Sequence, residues 1–178
     1  MGKESVSCHS GGLMQLKSVL FEICRWAAVA AVIVCIVKSA GGRSGLSSAD
    51  PQTVLESAYS CADTANLQPA SNQIIKRLYG IDPSEYAFCQ LYYPLTNMDV
   101  DELLLIKYTD DSQEQQVKSA VEARLEGQKN AFESYGVGQM ELLNDHSVFI
   151  SDAGFAFFIV NSKADEASAA FADALRRE

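Results

Sequence analysis

Residues 146–160 read HSVFISDAGFAFFIV, a pattern that predicts two strands joined by a tight turn. His146 to Ile150 and Phe155 to Val160 are rich in β-branched and aromatic residues, and the intervening Asp152-Ala153-Gly154 is typical of a β-hairpin turn. The second strand is apolar on both faces, which is typical of a strand in the centre of a sheet. The stretch therefore predicts an antiparallel sheet with a buried centre.

Two further strand candidates precede this hairpin. Tyr86 to Tyr93 is rich in aromatic residues, and Leu103 to Tyr108 (LLLIKY) is a short apolar run of strand length. LLLIKY is also apolar on both faces, so either helices cover both faces of the sheet or one face is an apolar patch that awaits a partner. In the second case, Leu103 to Tyr108 and Phe155 to Val160 would form the contact surface.

Helical spacing of apolar residues predicts two helices before the first strand. The first begins at Asp50-Pro51, because Asp50 is a favourable N-cap and Pro51 suits the first helical position. The second runs near Ser71 to Tyr79 and ends at Gly80, a typical C-terminal glycine.

Two more helices follow the second strand and the hairpin. The third carries an apolar stripe from Val117 to Tyr135 behind a predicted capping box at Ser112 and Gln115, and Ser162 is the predicted cap of the fourth. The element order is thus α-α-β-β-α-β-β-α. It predicts an α+β fold with a four-stranded, mainly antiparallel sheet packed by helices.

A hydrophobic segment lies before this domain. Residues 26–37 (WAAVAAVIVCIV) are uninterrupted by charge, and extension back to Val19 approaches the roughly 20 residues of a membrane span. An uncleaved signal anchor, a cleaved signal peptide ending at Ala40 and a buried helix of a soluble domain are the three interpretations, and we favour the first.

The anchor interpretation divides the chain into four parts. They are a cytoplasmic tail (1–18), a transmembrane helix (19–40), a Gly/Ser-rich linker (41–49) and an extracytoplasmic domain (50–178). The protein is then expected in the plasma membrane as a single-pass protein with its N-terminus in the cytoplasm, because basic residues precede the apolar core.

The charge is unevenly distributed along the chain. Residues 1–45 carry +3 and residues 46–178 carry −12, within a total of −9. A domain of this charge is repelled by phosphate backbones, so nucleic acid is not an expected partner. The acidity favours solubility, and binding of a basic partner is the alternative.

No catalytic, cofactor-binding or metal site is predicted. His146 is the domain's one histidine, and its sequence neighbours would point to the opposite face of a strand, so they cannot complete a triad. Asp99 and Asp101 could share a face for a hard cation, but no calcium-loop pattern surrounds them. Gly136-Val137-Gly138 follows a helix rather than a strand, which predicts a helix stop and turn rather than a phosphate loop.

Two of the five cysteines, Cys61 and Cys89, fall in the predicted domain, and no C-x-x-C motif is present. Outside the cytoplasm they could form a disulfide between the first helix and the first strand. Two separate buried thiols that fill space are the alternative, and both interpretations stay open.

Several blocks of this sequence, taken in order, resemble a bacterial family. They are LYGIDP at 78–83, MDVDELLLIK at 98–107, the third helix with Arg124 and Phe132 leading to Tyr135-Gly136, and the closing hairpin and helix. Together they resemble domain of unknown function 4358 over roughly Pro51 to Leu175. The resemblance implies a Gram-positive origin and an extracytoplasmic domain behind a lipoprotein signal or a signal anchor, and it implies no established activity or catalytic residues. No lipobox precedes a cysteine here, which favours the anchor.

We therefore expect a non-catalytic, membrane-anchored cell-envelope domain that binds another envelope protein or polymer. An envelope enzyme that uses His146 or the Asp99/Asp101 pair on glycan or lipid is one alternative. A structural protein whose anchor self-associates through small residues such as Ala27 and Ala31 is the other.

Overall fold

The computed structural model describes residues 46–177. The predicted cytoplasmic tail, the predicted anchor at 19–40 and the beginning of the linker lie outside the described residues. Between residues 46 and 177, no helix is both long enough and apolar enough to cross a membrane.

One antiparallel sheet forms the centre of the fold. Its strands are β1 (Leu67–Pro69), β2 (Phe88–Pro94), β3 (Glu102–Lys107), β4 (Ser147–Asp152) and β5 (Phe155–Val160). The spatial order is β1-β2-β3-β5-β4, and every neighbouring pair is antiparallel. The antiparallel sheet is confirmed, but it has five strands rather than four. The additional β1 is an edge strand of three residues that ends in proline, so it carries almost no strand pattern.

Five α-helices surround the sheet. They are α1 (Pro51–Cys61), α2 (Asn72–Tyr79), α3 (Glu114–Phe132), α4 (Val137–Asp145) and α5 (Ala164–Arg176), and short 3-10 turns lie at Pro83–Glu85 and Asp111–Gln113. The four predicted helices are present. The turn predicted at Gly136-Val137-Gly138 is wrong, because Gly136 is the N-cap of α4 and Gly138 lies inside that helix.

Helices cover both faces of the sheet. Leu103 and Leu105 of β3 pack with α1 and α5, whereas Leu104 and Ile106 pack with α2, α3 and α4. The same alternation runs along β5, all of which is buried. The fold therefore has three layers. The contact surface considered for β3 and β5 is wrong, because helices already occupy both sides of these strands.

Local side chains set the helix ends, and two predicted caps are corrected. Asp50 caps α1 by accepting a hydrogen bond from Thr53 N at 2.9 Å, and Gly80 ends α2 at a φ of 69°. The predicted capping box at Ser112 and Gln115 is wrong, since the capping box pairs Asp110 with Gln113. At α5 the predicted Ser162 cap is also wrong.

The N-cap residue of α5 is Lys163, and no described side chain caps the helix. The buried side chain that orders this region is that of Asn161. Its Oδ1 accepts from Lys163 N at 3.0 Å and from Asp63 N at 3.0 Å, while its amide nitrogen donates to Asp63 O at 2.8 Å. One buried side chain thus orders both the end of β5 and the loop after α1.

The chain enters the domain at the end of the sheet where β3 finishes. Ser47 N donates to Ala153 O at 2.8 Å, and Ala49 is buried. Lys107 Nζ donates to Ala49 O at 2.7 Å and lies 5.1 Å from the centre of the Phe155 ring. Residues 46–49, which the sequence assigned to the linker, are therefore packed on the domain.

Asp82 is expected to make the domain's stability depend on pH in acid. Hydrogen bonds from Ser84, and then from Lys76, lower its pKa from 3.8 to about 2 in the folded protein. A depressed pKa gives stability that is present above 3.8 and is lost as the pH falls toward 2. Asp82→Asn should therefore flatten the slope of unfolding free energy against pH in this window, as measured by urea titrations. An unchanged slope would contradict this role.

Candidate functional site

A surface cleft of about 230 Å³ lies beside the end of the sheet where β2 finishes and β3 begins. One wall is α2, the opposite wall is the connection from β2 to β3, and α3 closes the third side. The cleft is thus built by elements whose positions the sheet fixes, at the opposite end of β3 from the point where the chain enters the domain.

A buried ion pair lies at the floor of the cleft. The Glu102 side chain is 0% exposed, and Arg124 Nη2 donates to its Oε2 at 2.9 Å. Arg124 Nε also donates to Oε2, at 3.2 Å, so the guanidinium meets the carboxylate along one edge. The Tyr79 hydroxyl donates to Glu102 Oε1 at 2.9 Å.

Gln128 completes this network from the next turn of α3. With its amide nitrogen turned toward Glu102, it donates to Oε1 at 3.2 Å, and its oxygen accepts from Arg124 Nη2 at 3.1 Å. Burial raises the pKa of Glu102, while Arg124 and Tyr79 act in the opposite direction. Burial, and then the Glu102 charge, raise the pKa of Tyr79 well above 10, so Tyr79 remains a donor.

Arg124 lines the cleft with part of its side chain. Its side chain is 19% exposed, and all its hydrogen bonds to described residues use Nε and Nη2. Nη1 lies on the other edge of the planar guanidinium and keeps its donors available. Arg77 on α2 adds an exposed guanidinium, and Asp99 on the facing loop accepts from Thr96 Oγ1 at 2.9 Å.

Exposed apolar side chains lie in the segments next to the cleft. Of the five large hydrophobic side chains exposed within residues 46–177, four are Leu95, Met98, Tyr135 and Val137, and we name these four the apolar rim. Leu95 and Met98 lie in the loop that forms one wall, and the Tyr135 ring centre is 5.6 Å from that of Phe132, which lines the cleft. Gln139 donates to Met98 O at 3.0 Å and so ties the start of α4 to the same loop. Such clustering is typical of contact sites, whereas scattered apolar residues are ordinary.

The residues that the sequence singled out do not meet in this cleft. Asp99 lines it, but Asp101 and His146 do not. Asp101 instead accepts from the Asn161 amide at 3.1 Å, and His146 follows α4 rather than beginning a strand, with its backbone oxygen accepting from Asn161 N at 3.1 Å. Burial, and then the Asp99 carboxylate, raise the pKa of Asp101. Within the described part of the chain, no three His, Cys, Asp or Glu side chains are placed to hold a metal ion.

Cys61 and Cys89 are free thiols. Cys61 packs on the face of the sheet that α1 and α5 cover, and Cys89 packs on the other face. Burial raises the pKa of the Cys89 thiol to about 12. A bridge would have to pass through the sheet, so this arrangement favours two separate thiols over the disulfide.

Sequence reasoning gave no role to the network of Glu102, Arg124, Tyr79 and Gln128. A signal was nevertheless present in the chain. Arg124 and Gln128 continue the spacing of Val117 and Val121 on the inward face of α3, where a charged or amide side chain needs a buried partner.

The fold and the cleft define this protein as a three-layer α+β domain with a side-chain-sized polar cleft at one end of its sheet. The chain belongs to the family described as "Domain of unknown function (DUF4358)", whose model matches residues 60–161. No curated protein and no solved structure matches it significantly. The matched range contains all five strands of the sheet and all of the cleft network.

Proposed function

We propose that this protein is a non-catalytic, membrane-anchored cell-envelope domain that binds another envelope protein or polymer at the cleft. The observation that carries the proposal is a cleft lined by Arg77 and Arg124, whose Nη1 is not used in its hydrogen bonds to Glu102, close to the exposed residues of the apolar rim. Binding sites combine a few fixed polar groups with apolar surface in this way.

The polar groups of the cleft support binding rather than catalysis. An enzyme that forms a covalent intermediate needs a nucleophile and a base within hydrogen-bond reach. The hydroxyl–carboxylate contact in the cleft joins Thr96 to Asp99, and Met98 N donates to the same hydroxyl at 3.3 Å, so this contact serves to order the loop. The Glu102 carboxylate is occupied by Arg124 and Tyr79.

The hydrophobic segment at 19–40 and the family resemblance support the proposed place in the plasma membrane, with the domain outside the cytoplasm. The chain joins the domain beside Lys107, and the cleft lies beside Glu102. Six residues of β3 separate these points, about 17 Å at the usual rise of a strand. The cleft would therefore remain accessible when residue 46 is tethered.

Site-specific photocrosslinking in intact cells tests this proposal. The full chain would carry a photoreactive residue at Met98 or Val137 of the apolar rim, or at Gln52 on the exposed side of α1 as a matched control. We expect one discrete adduct from each rim position and none from Gln52. That adduct should disappear when Gly127 in the cleft is also replaced by Trp. Adducts that are equal at all three positions, or that persist after Gly127→Trp, would contradict the proposal.

A further inference from the structure

Gly127 leaves the backbone of α3 open to the cleft. It lies in the interior of a 19-residue helix and lines the cleft, although glycine is among the weakest helix formers. Packing does not require a glycine there, because a Cβ atom would meet nothing within 4 Å. The missing side chain therefore creates room beside Arg124 and Gln128.

Two guanidinium groups line this space. Arg77 is exposed and forms no ion pair with a described residue. Arg124 lines the same cleft, and its contacts with Glu102 use Nε and Nη2 rather than Nη1. Both arginines lie in a stretch of chain whose net charge is −12. Glu102 balances the charge of Arg124 from below, so Arg77 is the cation of the lining without an ion-pair partner among the described residues. Asp99, on the loop wall, is the one carboxylate that lines the cleft, and it can accept a hydrogen bond from an N–H group of a ligand.

The size of the cleft limits what it can hold. A volume of about 230 Å³ is below the roughly 300–1,000 Å³ of typical small-molecule sites. It suits one side-chain group of a larger partner, and the neighbouring apolar rim offers a surface for the rest of that partner. Apolar surface suits a polypeptide better than a sugar chain or a phosphate polymer, whose surfaces are polar.

We infer that the cleft takes the carboxylate of an aspartate or glutamate in an extended polypeptide, whose neighbouring apolar side chains pack on Leu95, Met98, Tyr135 and Val137. This inference rests on the proposed binding function and names its ligand. A planar guanidinium edge matches a carboxylate in geometry and charge. Asp99 lies on the facing loop as an acceptor for the peptide backbone.

Peptide selection on the full chain in detergent micelles tests this ligand class. The probe is a display library of random short peptides, and we expect enriched sequences to carry Asp or Glu next to apolar residues. Changing that acid to its amide should weaken binding about 10- to 100-fold, because hydrogen bonds between charged groups are the strong ones. Arg77→Gln should also weaken binding of the enriched peptides. This change leaves the buried network around Glu102 intact.

Gly127→Trp should abolish binding of the enriched peptides by filling the cleft. Glu126→Trp, which adds the same side chain at the adjacent exposed position of α3, is the matched control and should leave binding unchanged. Enriched peptides without an acid, or equal binding to the Gly127→Trp variant, would overturn the inference. Binding of polyphosphate in the absence of any enriched peptide would overturn it in favour of an anionic polymer. In any of these cases, crosslinks from the apolar rim that still disappear in the Gly127→Trp variant would continue to support the proposed binding function.

Discussion

Replacing Arg124 by Ala is expected to lower the free energy of unfolding by about 3–5 kcal/mol. The side chain of Glu102 is fully buried, and Arg124 supplies its only cationic partner among the described residues. Without it, the carboxylate must remain charged without its counterion or take up a proton, and both raise the free energy of the folded state. Urea unfolding followed by circular dichroism measures the loss.

Two further variants separate the ion pair from a general effect of removing arginine. Arg77→Ala removes an exposed guanidinium from the same cleft and should cost less than about 0.5 kcal/mol. The double change Glu102→Gln with Arg124→Met removes both charges and keeps an acceptor for Tyr79, so it should recover most of the stability. If Arg124→Ala costs no more than Arg77→Ala, the buried pair does not stabilise the fold as the distances indicate.

Replacing Phe157 by Ala is expected to lower the free energy of unfolding by a similar amount, about 3–5 kcal/mol. Phe157 lies in β5 with no exposed surface, and its ring stacks on that of Phe171 in α5 with centres 4.8 Å apart. Truncation leaves a cavity between the sheet and the helix layer that neighbouring atoms cannot fill. The same urea titration measures the free energy of unfolding. An unchanged slope of this free energy against urea concentration would indicate that unfolding remains two-state.

Phe149→Ala is the matched control for this effect. Phe149 has the same side chain and lies in the same hairpin, but it belongs to the edge strand β4 and is only half-buried. Phe149→Ala should therefore lower the free energy of unfolding by less than half as much as Phe157→Ala, because less apolar surface is exposed to water. Equal losses of unfolding free energy for the two variants would show that the degree of burial does not determine the cost of truncation in these strands.

The elements that could be predicted from sequence are those with a strong local pattern. Phe155–Val160 and the apolar run at 103–106 have apolar residues at successive positions, a pattern that is typical of a strand between two covering layers. Asp50-Pro51 and Gly80 mark helix ends by conformational preferences of single residues. Pattern and structure agree here because the causes are local.

The elements that could not be predicted depend on partners far away in the chain. β1 is a strand because Leu67–Pro69 pairs with the end of β2, not because its own three residues prefer one. α4 begins directly after Gly136, where glycine indicated only an end. The cleft could not be predicted because Tyr79, Glu102 and Arg124 come from three separate elements that meet only in the folded domain.

The N-terminal segment and a partner held in the cleft would pull on the domain at opposite ends of β3. The chain joins the domain beside Lys107 at one end of this strand, and Glu102, the carboxylate of the cleft network, lies at the other. β3 is paired along its length with β2 on one side and β5 on the other. A pull on residue 46 would first load the contacts that hold residues 46–49 to the domain, which are the hydrogen bonds from Ser47 N to Ala153 O and from Lys107 Nζ to Ala49 O. Under force, the rate at which these contacts open, rather than the equilibrium stability of the sheet, would decide when the domain begins to yield.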